Sequence, residues 1–138
     1  QPIDWTARDA WARIIADVVD HIDTHVARVE DHKTGKSMGK EVAHTQQTQL
    51  YAIAAMLRYP DLEIVEAQLN YLDEGKTRTK RYHRDSLTQL LDRWTRRGNK
   101  MISAAVFPPK PNRGKCRFCP FGTENGTSYC TYAVSLKD

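Results

Sequence analysis

Residues 11–33 read WARIIADVVDHIDTHVARVEDHK, and this stretch decides the fold. Ile and Val crowd both of its ends, Asp23-Thr24 supplies turn chemistry between them, and the two runs predict a β-hairpin. If the chain reverses at Asp23-Thr24, facing residues have numbers summing to 47 or 48, so Asp17 stands across from Glu30 or Asp31 and Asp20 across from Ala27 or Arg28. Directly opposed residues share a face, with Cβ atoms roughly 5 Å apart. Lys33 returns to the side of Asp31 because strand side chains alternate. Asp17, Asp31 and Lys33 are thus expected to form one cluster of two acids and a base. Asp17 also lies inside the apolar run Ile14-Ile15-Ala16-Asp17-Val18-Val19. An unpartnered carboxylate is costly to bury there, which predicts a partner or a metal ion.

That combination suits hydrolysis of a phosphodiester. Divalent metal polarises a phosphoryl oxygen and makes hydroxide from water near neutral pH. Hard cations of this kind prefer carboxylate oxygens, and a neighbouring ammonium offsets the charge that develops on phosphorus.

Working outward, His32 to Lys40 carries glycines and lysines typical of an exposed loop. Leu50, Ile53, Ala54 and Leu57 recur at helical spacing, predicting a helix over 42–58 that Tyr59-Pro60-Asp61 stops. Val65, Ala67, Leu69 and Tyr71 alternate with polar residues as in a half-buried strand, and Glu74-Gly75-Lys76 turns it into a second strand over 77–83. Leu87, Leu90, Leu91, Trp94 and Met101 mark a second helix that Asp85 or Ser86 can cap. The expectation is an α/β fold with a mixed central sheet, built on the hairpin and flanked by helices.

At 138 residues, 40% hydrophobic and 28% charged, the chain has the size and composition of one globular domain. No apolar run approaches the roughly 20 residues that span a bilayer. The overall charge of +4 conceals an asymmetry: residues 1–75 carry −6 and residues 76–138 carry +10. An acidic half suits divalent cations and a basic half suits a phosphate backbone. Lys76, Arg78, Lys80, Arg81 and Arg84, with Tyr82 among them, are the candidate DNA-binding residues. Arg93, Arg96, Arg97 and Lys100 on the second helix could serve the same purpose. Cys116, Cys119 and Cys130 are an odd number clustered late in the chain, a pattern that favours metal or cluster ligation over disulfides.

Four pieces in order resemble the RecB-like, phage-exonuclease branch of the PD-(D/E)XK nucleases: Trp11-x-Arg13-x-x-Ala16-Asp17, Glu30-Asp31-His32-Lys33-Thr34-Gly35-Lys36, Gln47-x-x-x-Tyr51, and Phe107-Pro108-Pro109 followed by Cys116-x-x-Cys119. The resemblance implies a restriction-endonuclease-like core over residues 1–106, lacking an N-terminal segment, with a cysteine-bearing tail over 107–138 packed on it. It implies that Asp17 and Asp31 bind Mg²⁺ or Mn²⁺ with Glu30 as the spare carboxylate, and that Lys33 orients the attacking water. Gln47 and Tyr51 are expected to approach the active site from one helical face. Relatives carry an upstream histidine and an upstream fourth cysteine, neither of which appears in this sequence. Cys116, Cys119 and Cys130 are accordingly read as three ligands of a [4Fe–4S] cluster, as a zinc site, or as free thiols. The implied activity is exonucleolytic processing of DNA ends, single- or double-stranded, in recombination or replication, in the cytoplasm of a bacterial or phage-infected cell and with no membrane association. An annealing protein or helicase is an implied partner. The rival reading is a DNA-binding or structural subunit that keeps the nuclease fold without a complete site.

Overall fold

The computed structural model describes residues 12–35, 37–122 and 126–134. Backbone contacts divide the chain into two units, Gln1–Ile102 and Ser103–Asp138.

The first unit is built on a four-stranded mixed sheet in the order β1-β2-β3-β4. Strand β1 (Val18–His21) pairs antiparallel with β2 (Val26–Lys33). The Asp23 carboxylate tightens the turn between them by accepting from the His25 backbone N–H at 2.7 Å. The register places Val18 opposite Glu30, Val19 opposite Val29 and Asp20 opposite Arg28. Helix α1 (Glu41–Arg58) then carries the chain across, so that β3 (Ile64–Tyr71) lies parallel to β2 with Asp31 beside Leu69 and Lys33 beside Tyr71. A 3-10 turn at Leu72–Glu74 ends in Gly75, whose φ of 59° is the left-handed conformation that glycine adopts without steric cost. Strand β4 (Lys76–His83) returns antiparallel to β3, and α2 (Leu87–Ile102) follows a second 3-10 turn.

Alternation along the strands sorts the side chains. Ala27, Val29, Val65, Ala67 and Tyr82 are buried together with Ala52, Ile53 and Met56 of α1, and Leu90 and Trp94 of α2 join the same cluster. Each large apolar side chain placed there contributes about 1.5–3 kcal/mol relative to exposure. Trp94 ties the two helices by donating from Nε1 to Gln49 Oε1 at 3.2 Å. Arg84 closes the far end of α1: its guanidinium donates to the carbonyls of Met56 at 3.2 Å and Tyr59 at 3.0 Å, and also to that of Leu62. Carbonyls at a helix C-terminus have no intrahelical partner, which is why a cation settles there.

The first strand is shorter than the sequence suggests. Residues 12–17 form no strand, Ile15 is 66% exposed, and β1 begins only at Val18. Trp11 lies outside the described residues. The helix and the two later strands match the expected segments to within one residue; in α1 and β3 the periodicity is carried by side chains that are in fact buried, whereas β4, exposed except at Tyr82, is set by the turn at Gly75.

In the second unit, a short helix α3 (Arg113–Cys116) is capped by the Asn112 side chain, which accepts from the Lys115 N–H at 2.9 Å. The chain then folds back through backbone hydrogen bonds, including Gly122 N–H to Cys119 O at 2.9 Å and Cys130 N–H to Phe121 O at 2.9 Å.

Candidate active site

Asp31 lies two residues before the end of β2, on the face covered by α1, and is 6% exposed. A carboxylate can be held there only if polar groups surround it. Gln47 Nε2 donates to Asp31 Oδ1 at 3.1 Å, and the Tyr51 hydroxyl donates to the same oxygen. Gln47 also donates to the Tyr51 oxygen at 2.5 Å, so three side chains form a closed triangle. The four-residue spacing of Gln47 and Tyr51 brings both to one side of α1, above the strand. Burial, and then the bond to Asp31, push the Tyr51 phenol well above its ordinary pKa.

The second Asp31 oxygen is treated differently. Lys33 Nζ lies 2.6 Å from Asp31 Oδ2 in an ion pair, and among the described residues no other donor reaches this buried oxygen. The ammonium balances the charge of this oxygen, and a carboxylate oxygen has a second lone pair that a ligand could still meet.

Asp17 reaches the same neighbourhood from just before β1. Extending the β1–β2 register by one residue sets Asp17 opposite Asp31, on the face that Val19 and Val29 share with Tyr51 along a cavity of about 280 Å³. Its charge contributes to the upward shift of the Tyr51 phenol. The Asp17 side chain is nevertheless 49% exposed, which overturns the expectation of an acid buried in an apolar run. The reason is that residues 12–17 lie outside the sheet. Asp17 Oδ2 accepts from the His32 N–H at 2.8 Å, which ties it to β2, and lies 3.7 Å from His32 Nδ1. The buried acid is Asp31.

Glu30 does not join the cluster. One residue from Asp31, it projects from the opposite face, where its Oε2 accepts from Asn70 Nδ2 at 2.9 Å. Among the described residues, no group of three or more His, Cys, Asp or Glu side chains could hold a metal ion. In the tail, Cys116, Cys119 and Cys130 form no disulfide, and Cys116 Sγ accepts from the Val134 N–H at 3.4 Å.

The basic segment is split three ways. Lys76, Arg78 and Lys80 alternate with Tyr82 on the α1 face, while Arg81 points the other way and holds Glu66 at 2.7 Å. Arg84 is the carbonyl clamp described above. A continuous track of five residues is therefore not formed.

Two features were not anticipated. His44 lies three residues before Gln47 on the same helical stripe, and its Nδ1 is bonded to the hydroxyl of Tyr71, the residue beside Lys33. The loop after Lys33 is clasped by acids that follow β3. Gly35 N–H donates to Asp73 Oδ2 at 2.5 Å, and Ser37 donates from its N–H at 2.6 Å and its hydroxyl at 3.0 Å to Glu74. The stripe His44-x-x-Gln47-x-x-x-Tyr51 was the available signal for the first feature. Nothing local announces the second, which joins residues 37 positions apart.

A protein-family model described as the PD-(D/E)XK nuclease superfamily matches residues 13–123, well over half of the chain. Comparison with curated proteins and with solved structures gives no match.

Proposed function

The chain belongs to the PD-(D/E)XK nuclease superfamily, and from that premise we propose that it hydrolyses phosphodiester bonds of DNA with Mg²⁺ or Mn²⁺, using Asp17, Asp31 and Lys33. The observation that carries this reading is the setting of Asp31: a buried carboxylate with one oxygen fixed by Gln47 and Tyr51 and the other meeting Lys33 and no further donor among the described residues.

The donor set suits the ion. Mg²⁺ is commonly held by one or two carboxylates, with water and substrate phosphate completing the shell. Asp31 Oδ2 and the exposed Asp17 carboxylate are the two that the described residues offer here. When bound, such an ion supplies polarisation of the phosphoryl oxygen and a water acidic enough to attack at neutral pH. Gln47 and Tyr51 fix the rotation of the Asp31 carboxylate, so the free oxygen is aimed before substrate arrives. The raised phenol keeps its proton at neutral pH, which makes Tyr51 a donor to Asp31 and not a base. Lys33 holds a positive charge where negative charge builds on the phosphorane oxygens, and its ammonium can orient the attacking water.

We further place the enzyme in the RecB-like branch, as an exonuclease processing DNA ends in phage or bacterial recombination or replication. This rests on the likeness of the four sequence pieces. The alternative, a catalytically incomplete DNA-binding or structural subunit, draws on the exposure of Asp17 and on the two-carboxylate donor set.

Degradation of end-labelled DNA in Mn²⁺ separates the two. Asp17→Asn and Lys33→Ala are each expected to abolish it while circular dichroism stays unchanged. DNA binding without cleavage by the unaltered protein favours the alternative. Cleavage at wild-type rate in both variants removes the proposed site.

A further inference from the structure

Beside the candidate site, between the first turns of α1 and strand β4, lies a small pocket of about 100 Å³ whose lining includes Glu41, His44, Thr45, Arg78 and Lys80. Its charges are unbalanced. Arg78 lies 5.7 Å from the centroid of the Tyr71 ring and Lys80 lies 5.5 Å from that of Tyr82, but among the described residues neither forms an ion pair within contact distance, and Arg78 acts on the nearby Glu41 carboxylate only through its field. The one acid in the lining, Glu41, is engaged by the Gly39 N–H at 3.2 Å.

His44 completes the donor set. Tyr71 is 1% exposed, and its hydroxyl meets His44 Nδ1. A phenol so deeply buried leaves its proton unsatisfied unless it donates to that nitrogen. The network thus assigns the imidazole proton to Nε2, an available donor on a residue that lines the pocket. Burial first, and then the charges of Lys33, Lys40 and Arg78, hold the imidazole below its usual pKa, so it serves as a neutral donor. The influence of Lys33 and Asp31 on His44 also sets the pocket next to the reacting centre.

We propose that His44, Arg78 and Lys80 form a subsite for a backbone phosphate of the DNA strand next to the scissile one, with Tyr71 orienting the imidazole. The inference rests on the nuclease reading. Arg78 and Lys80 carry the charge, the ring of Tyr71 steers the guanidinium from below, and His44 gives the subsite a directional hydrogen bond.

The test measures binding of fluorescein-labelled single-stranded oligodeoxythymidylate in Ca²⁺, with circular dichroism as the control for folding. Arg78→Ala is expected to bind about tenfold more weakly, the equivalent of one lost charge-assisted contact. Its salt dependence should flatten by about 0.7 in slope, the share of one phosphate on a single strand. His44→Phe, which keeps the ring packing, should weaken binding without changing that slope. A set of oligonucleotides, each with a single neutral methylphosphonate, should contain one whose penalty against the wild-type protein disappears with Arg78→Ala. Arg81→Gln, on the other face, should match wild type. Unchanged affinity and slope in both Arg78→Ala and Lys80→Ala overturn the subsite, as does an equal loss in Arg81→Gln. If Lys33→Ala abolishes cleavage while Arg78→Ala binds normally, the nuclease reading stands and this one falls. If the wild-type protein cuts nothing yet Arg78→Ala loses affinity and slope, the reverse holds.

Discussion

On the face of the sheet turned away from α1, Glu66 accepts from Arg28 at 3.0 Å and from Arg81 at 2.8 Å, and Glu30, Asn70 and Thr77 continue as a hydrogen-bonded ladder across three strands. On the α1 face of the same strands, Asp31 Oδ2 meets Lys33 and no other donor, and Arg78 and Lys80 form no ion pair among the described residues. Both faces are polar at the same level of the sheet. They differ in that one closes its own electrostatic accounts and the other leaves them open to a ligand. Arg28 first, and then Arg81, hold the Glu66 carboxyl below its usual range, as expected of a structural ion triad. Perturbation alone therefore does not mark function; unmet demand does.

The contrast is tested most severely by two adjacent acids. Asp31→Asn is expected to cut the rate of DNA degradation by roughly 10²–10³-fold or more. Glu30→Gln, one position away on the other face, should fall within about 0.5 kcal/mol of wild type in both activity and stability. Comparable losses in the two would erase the distinction. Next in size is the support for Asp31. Tyr51→Phe and Gln47→Ala should each lower kcat by roughly 10–100-fold, the usual cost of removing a group that orients a ligand. Their effect on DNA affinity should be small, since neither supplies charge. The smallest effect belongs to the closed face. Glu66→Ala should lose about 1–3 kcal/mol in denaturant titration, because it leaves Arg28 half-buried and uncompensated, and the folded protein should cleave at the wild-type rate. A drop in activity at constant fraction folded would bring that face into the site.

Much of this was legible in the residues. The turn at Asp23-Thr24 fixes the register, so the facing of Val19 and Val29 and of Asp20 and Arg28 follows from counting. Period-two burial in β3 and period-3.6 burial in α1 are equally direct, because those side chains meet the core. What misled was apolar content used as a proxy for burial: Ile15 and Val18 sit at an edge, and Asp17 is exposed with them. The basic run misled for a related reason. Composition counts Arg81 and Arg84 with Arg78, but alternation sends Arg81 to Glu66, and the end of β4 delivers Arg84 to the carbonyls of α1. His44, Tyr71 and Glu74 were hidden because their partners are remote along the chain and become neighbours only through the parallel pairing of β2 with β3.

That parallel pairing has a further consequence. A hairpin of β1 and β2 can close locally and already carries Asp31 and Lys33, but the groups that orient Asp31 arrive with α1, and the clasp on the loop after Lys33 arrives only with residues 73 and 74. A nascent chain halted before α1 would hold the acid and the lysine yet have nothing to aim them, and one halted before β3 would still lack the clasp on the loop. Assembly from distant segments thus acts as a safeguard, withholding an aimed carboxylate until those segments have come together.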